Sequence, residues 1–189
     1  MEKQLENTFV VVENGQYVLK KETISATPAA GEVLVKIAYS TCDPCDGMYS
    51  RYFMLEGMRP GQEGCGQIIA VGEGIDPSLV GKKVTFHEEA WGQYRKIKTA
   101  SHYVVLDDSQ DLKEAAAGYI NPLTAFECLE RLQSRKSKYY VANAAASALM
   151  KMFIKLARAK GGYECIAIVR KEEHARQLKE DYGVQNVLI

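Results

Sequence analysis

The sequence has no excess of charge of either sign: Lys and Arg number 24, and Asp and Glu number 24. A nucleic-acid partner calls for a basic excess or a basic stripe, and neither is present. No run of about 18 apolar residues occurs, so no membrane-spanning helix is expected. The opening residues MEKQLENTF lack the apolar core of a secretory signal, and they are not the Arg-rich, acid-poor type used for organelle import. The cytoplasm is therefore the expected compartment. Paired cysteines are also missing. Cys42, Cys45, Cys65, Cys128 and Cys165 form an odd, scattered set, which fits free thiols in a reducing compartment better than a disulfide framework. Cys42 and Cys45 have C-x-x-C spacing, but without a second pair that is a weak metal or redox signal. Histidine is scarce: His87, His102 and His174 show no ligand spacing. All three are read as non-catalytic, with a reservation for His87 beside an expected cleft.

What is present is an ordinary globular composition, 47% hydrophobic, whose texture changes once along the chain. Up to about Asp111 it reads as short strands broken by Gly and Pro. Asn14-Gly15 between β-rich runs marks a hairpin. Val33, Val35 and Ile37 alternate with Leu34 and Lys36, as on a strand with two different faces. The strands continue over 64–71, 83–86, 93–97 and 103–106, giving a barrel-like all-β unit. Beyond it, residues 111–120 read as a short helix. Asn121-Pro122 opens another, with Asn suited to the cap and Pro to the first turn. Then strand 139–142, helix 147–159, strand 165–169, helix 171–181 and strand 187–189 alternate, which implies a parallel sheet with helices on its faces. The helix from Ser147 sets Leu149, Met152, Phe153, Leu156 and Ala157 on one face, as a core-facing amphipathic helix does. Its Met residues are read as core.

Four local motifs are more specific. Pro60-Gly61-Gln62-Glu63-Gly64-Cys65-Gly66 with the strand after it resembles the hallmark P-G-x-E-G-x-G of the medium-chain dehydrogenase/reductase superfamily. Asp43-Pro44-Cys45-Asp46 resembles the N-P-S-D element of quinone reductases, a resemblance that implies a packing role for Cys42 and Cys45. Asn121-Pro122-Leu123-Thr124-Ala125 resembles the N-P-L-T-A entry to the cofactor domain, and VANAAASAL, residues 141–149, resembles that domain's first strand and turn. In this order they are similar to a zinc-independent, quinone-oxidoreductase-like member. The fold implied is a GroES-like β-barrel catalytic domain over residues 1–121, followed over 122–189 by the first part of a Rossmann-type parallel α/β domain.

The resemblance also implies chemistry. Zinc members need three protein ligands and an open position, whereas here the matching positions hold Asp43, Gln62 and Asn121, so no zinc is expected. The activity implied is an NADPH-dependent reduction of a quinone, enone or enoyl substrate, a small carbonyl-conjugated molecule, and a homodimer is compatible with it. Tyr49 and Tyr52 fall where relatives keep a Tyr near the substrate; packing is the competing reading. Asn121 and Thr124 match positions near the nicotinamide, with local capping as the alternative. Glu63 is expected to be buried, as support rather than as a reacting group. The cofactor turn would use Ala146, Ser147, Ala148 and Leu149, with Ser147 and Ala148 where glycines are usual and Met150 at the close-packing glycine, where a long side chain is expected to push the helix away or block the nucleotide's approach, so this chain is expected to bind NADPH weakly or not at all. Arg170 and Lys171 end the second strand, where a cation favours the 2′-phosphate of NADP; two solvated surface cations are the plainer reading. The chain is expected to be an N-terminal portion of a longer enzyme. The rival reading is a non-catalytic relative acting in binding or assembly.

Overall fold

The computed structural model describes residues 3–48, 55–98 and 100–189. The chain forms two compact units, Met1–Ile120 and Asn121–Ile189.

The first unit is antiparallel. Strands β1 (Gln4–Glu13) and β2 (Gln16–Ser25) pair along their whole length, closing on Glu13 opposite Gln16. The two linking residues, Asn14 and Gly15, have φ of 49° and 70°, the left-handed pair that matches the twist of a two-residue hairpin. Strands β3 (Val33–Ser40), β4 (Glu63–Val71), β5 (Lys83–His87), β6 (Tyr94–Ile97) and β7 (Tyr103–Val105) form a second sheet in the order β6-β3-β4-β5-β7. The buried side chain of Asn7 joins the two sheets: its Oδ1 accepts from the N–H groups of Gln93 and Tyr94 at 3.2 and 3.0 Å, and its Nδ2 donates to Glu22. Val33, Val35, Ile68, Val84, Phe86 and Ile97 make the core. The expected alternation in β3 fails at its start, because Leu34 is as buried as Val33 and Val35. The strand is covered on both faces there and becomes two-faced only from Lys36 onward.

The hallmark glycines are explained by close approach. A Cβ on Gly66 would overlap the Lys36 carbonyl oxygen, and one on Gly64 would stand 2.9 Å from the Tyr39 carbonyl oxygen. The β3–β4 register slips between Ile37 and Tyr39, opposite these residues, so the backbones crowd where side chains are absent.

Two short helices complete this unit, α1 (Pro44–Met48) and α2 (Leu112–Ala115). The helix expected over 111–120 is thus four residues long. Asp111 caps it, accepting from the Lys113 N–H at 3.0 Å. Cys42 and Cys45 are free and exposed, which corrects the expectation that they pack. Cys65 is buried and donates to the Leu112 carbonyl; burial pushes its thiol pKa up to about 11.

In the second unit, strands β8 (Tyr139–Ala142), β9 (Glu164–Ile168) and β10 (Asn186–Leu188) are parallel, in the order β10-β9-β8. Helices α3 (Ile120–Ser134), α4 (Ala148–Lys160) and α5 (Glu172–Glu180) accompany them. Ser147 is the cap of α4 rather than its first residue, its Oγ accepting from the Met150 N–H. Gly161, at φ 78°, ends the helix with its N–H on the Ala157 and Arg158 carbonyls. Phe153, Ile154 and Ala157 are the buried face of α4. Phe153 and Ala157 meet Ala125, Leu129 and Leu132 of α3. Among the described residues no helix is long and apolar enough to cross a membrane.

Candidate functional site

In the first unit the two family-like motifs are pinned to each other by one buried carboxylate. Asp46 Oδ2 accepts from the Asp43 N–H at 2.9 Å and Oδ1 from the Gly61 N–H at 3.0 Å. The Tyr17 hydroxyl donates to the Asp46 carbonyl. Gly61 has φ 96°, and a Cβ there would lie 2.6 Å from the Trp91 nitrogen, so the turn admits no side chain. Beside it opens a cleft of about 540 Å³, lined by Arg59, Gly61, Gln62, His87, Glu88 and Glu89.

Glu63 lies behind this cleft, fully buried. One of its oxygens accepts from the N–H groups of Tyr119 and Ile120 at 2.9 and 2.8 Å. Its pKa is raised: burial disfavours the charge and outweighs the two N–H groups that favour it, with the nearby Asp43 charge adding to burial and His87 opposing it. His87 faces Glu63 across the strand pair, stacks on Tyr119 at 5.6 Å and meets His102 edge-on at 6.3 Å. His87 therefore lines the cleft, where the sequence held a place for it.

The same geometry corrects the capping reading of Asn121. Helix α3 begins at Ile120, so Asn121 is inside its first turn and is not the cap. Glu63 holds the N–H groups of Tyr119 and Ile120, just at the entry to the helix. Tyr49 and Tyr52 lie outside the described residues. Asp43 accepts from the Thr41 hydroxyl at 2.7 Å, and Gln62 offers an amide, a poor zinc ligand. Among the described residues no three His, Cys, Asp or Glu side chains group closely enough to hold a metal. The residues at the zinc positions do not fit zinc.

In the second unit a cleft of about 280 Å³ opens at the C-terminal ends of β8 and β9. Asn143, Ala144, Ala146, Arg170, Lys171 and His174 line it. The turn into α4 is tight: Ala144 is left-handed at φ 52°, its N–H bonds to Asn143 Oδ1, and the Ala145 N–H reaches the Ile168 carbonyl. Three sequence-predicted cofactor residues, Ala146, Arg170 and Lys171, are thus brought into one cleft. Ser147 caps the adjoining helix. Ala148 and Leu149 form its first turn, where N–H groups have no partner within the helix. Thr124 stands on α3. Asn143 and His174 were missed. A His beside two glutamates reads as a solvated helix face, and only the strand end beside it makes it part of a cleft.

Met150 does not behave as expected. It is half-buried, packs against the hydrophobic clusters on both sides of α4, and does not line the cleft. The long side chain fills the space between helix and sheet instead of obstructing the turn.

Residues 29–126, just over half of the chain, match the alcohol dehydrogenase GroES-like domain. The mitochondrial enoyl-[acyl-carrier-protein] reductase of Caenorhabditis elegans is 29% identical over 182 residues, 90% of this chain and 52% of the relative. The chain thus spans about half the length of that curated relative. A structure described as a candidate NADPH:quinone reductase of Mesorhizobium loti is 28% identical with a TM-score of 0.78, over 100% of this chain and 60% of that one. Another so described, from Bacillus thuringiensis, is 28% identical with a TM-score of 0.84, over 97% of this chain and 58% of that one. With the hallmark glycines and buried Glu63 placed as the motifs require, the chain belongs to the alcohol dehydrogenase GroES-like domain family, within the quinone-oxidoreductase-like part of the medium-chain dehydrogenase/reductase superfamily.

Proposed function

We propose that the protein is a zinc-independent, NADPH-dependent oxidoreductase of quinone, enone or enoyl type, with residues 1–121 as its catalytic domain and 122–189 as part of its Rossmann cofactor domain. The observation that carries this reading is the cleft at the strand ends of the second unit, which joins a tight turn before a helix to the cations Arg170 and Lys171. In parallel α/β sheets ligands bind outside the carboxyl ends of the strands. The small Ala146 leaves room for a pyrophosphate, and the N–H groups of Ala148 and Leu149, at the positive end of α4, face an anion favourably. Arg170 and Lys171 suit the 2′-phosphate.

NADPH supplies a hydride. The residues must then hold the acceptor and stabilise the oxygen on which charge develops. Side chains of the neutral donor type are the amide of Gln62 on the first cleft, the phenols of Tyr49 and Tyr52, the amide of Asn121 and the hydroxyl of Thr124. Five free thiols support a reducing compartment, so we place the protein in the cytoplasm.

Calorimetry with NADPH and NADH tests this. Arg170→Ala is expected to raise the Kd for NADPH about tenfold, the worth of one charge-assisted hydrogen bond, and to leave that for NADH nearly unchanged. An equal loss on both would argue against phosphate recognition. Elemental analysis after a chelator wash is expected to find far less than one zinc per chain; a stoichiometric, chelator-resistant metal would overturn zinc independence.

A further inference from the structure

The nucleotide cleft of the second unit is lined by a histidine that the family motifs do not account for. His174 is the third residue of α5, and it lines the cleft together with Arg170 and Lys171. Behind these three stands one carboxylate. Glu173 Oε1 is 3.3 Å from Lys171 Nζ and 3.6 Å from His174 Nε2, so a single acid ties the ammonium and the imidazole to each other at the mouth.

The charge balance of this corner turns on the imidazole. Arg170 and Lys171 are cations, and Glu172 and Glu173 are anions, so these four cancel. With His174 neutral the corner carries no net charge; with His174 protonated it carries one positive charge. The other lining residues add none, since the β8–α4 turn contributes Asn143, Ala144 and Ala146, and the end of β9 contributes Ile168 and Val169. An incoming phosphate dianion beside the ring would favour its protonated form. Histidine is the side chain whose ordinary titration falls where this can matter near neutral pH.

We propose that His174 is a specificity-determining residue of this cleft: protonated, it completes with Arg170 and Lys171 a cation cluster for a nucleotide 2′-phosphate, which makes the preference for the phosphorylated nucleotide depend on pH. The inference rests on the nucleotide reading of the cleft given above. Its sign follows from linkage. If binding the phosphate draws a proton onto His174, affinity for the phosphorylated nucleotide weakens as pH rises through the imidazole range, while affinity for the unphosphorylated one does not. The phosphate's own second ionisation lies near pH 6, so the comparison belongs above it.

The test uses adenosine 2′,5′-bisphosphate and 5′-AMP with the 189-residue protein. Calorimetric Kd values are taken at about pH 6.5 and about pH 8.5, from the middle of the imidazole range to well above it. The preference for the bisphosphate is expected to fall about tenfold between them, the worth of one charge-assisted hydrogen bond. In His174→Gln it should be low and flat, and in His174→Lys high and flat. By NMR, the His174 ring resonance should titrate at higher pH with the bisphosphate bound, and stay in place with 5′-AMP. A flat preference in the parent protein, or the same slope in His174→Gln, overturns the role of His174 and leaves the cleft as a nucleotide site. If neither nucleotide binds at either pH, the nucleotide reading fails and this inference fails with it.

Discussion

Glu63→Ala is expected to destabilise the first unit by about 3 kcal/mol, because it strips the N–H groups of Tyr119 and Ile120 of their acceptor; an unsatisfied buried donor costs about 1 to 3 kcal/mol. A cavity behind the cleft adds to the loss. Trp91 is the one tryptophan of the chain and sits in this unit, its Nε1 on the Thr41 carbonyl, so its emission during urea unfolding reads the effect directly. Glu63→Gln keeps an acceptor oxygen for both N–H groups and should lose much less. The pair also yields a pH dependence with a definite sign. Because burial raises the Glu63 pKa above its ordinary 4.5, the native state holds the proton more tightly than the unfolded chain. That contribution is full below the ordinary carboxylate range and is lost as pH rises through the folded pKa. Relative to Glu63→Gln, which cannot ionise, the parent protein should therefore lose stability as pH climbs from 4.5 upward. The opposite slope would mean that the two N–H groups stabilise the carboxylate by more than burial disfavours it.

Much of this architecture was legible because its determinants are local. Asn14-Gly15 specifies a left-handed two-residue turn wherever it lies between strand-forming runs. The close-spaced glycines of β4 announce a backbone approach without naming the partner, which proves to be the carbonyls of Lys36 and Tyr39. Ser147 before an apolar-periodic run marks the start of α4 to within one residue. What failed was non-local. No pattern in residues 111–122 shows that a carboxylate 56 positions earlier in the chain takes the Tyr119 N–H. Asn121 was therefore read as a cap, although Glu63 holds the N–H groups just ahead of it and the helix has already begun at Ile120. Leu34 looked like the outer face of a strand because alternation is read from one strand alone, while covering that face depends on elements distant in sequence. His174 is the same case at the cleft: its neighbours in sequence are charged and solvated, and its relevance comes from the end of β9.

Met150 carries the second large effect, and there the expectation reverses. Read as an obstacle to nucleotide approach, its replacement by glycine should restore binding. Its packing says otherwise. The side chain lies against the cluster of Ala142, Ile154 and Ala167 on one side and against that of Ala125, Leu129 and Phe153 on the other. Removing a buried Met side chain costs about 2 to 5 kcal/mol, the lower part of that range suiting a half-buried one. Glycine near the start of α4 adds up to about 1 kcal/mol of helix propensity. Met150→Gly is therefore expected to lower the stability of the second unit by about 3 kcal/mol, a fall of about 10 °C or more in melting temperature followed by helical circular dichroism. Nucleotide affinity measured well below the transition should not improve, because the cleft is lined by Ala144, Ala146, Arg170, Lys171 and His174 and not by Met150. Met150→Leu, which keeps the volume, should stay within about 1.5 kcal/mol of the parent. A glycine variant that melted at the parent's temperature and bound NADPH more tightly would return the side chain to the role of obstacle. The expected pair of results, stability lost and affinity not improved, makes Met150 the filler that lets a glycine-poor turn pack against its sheet.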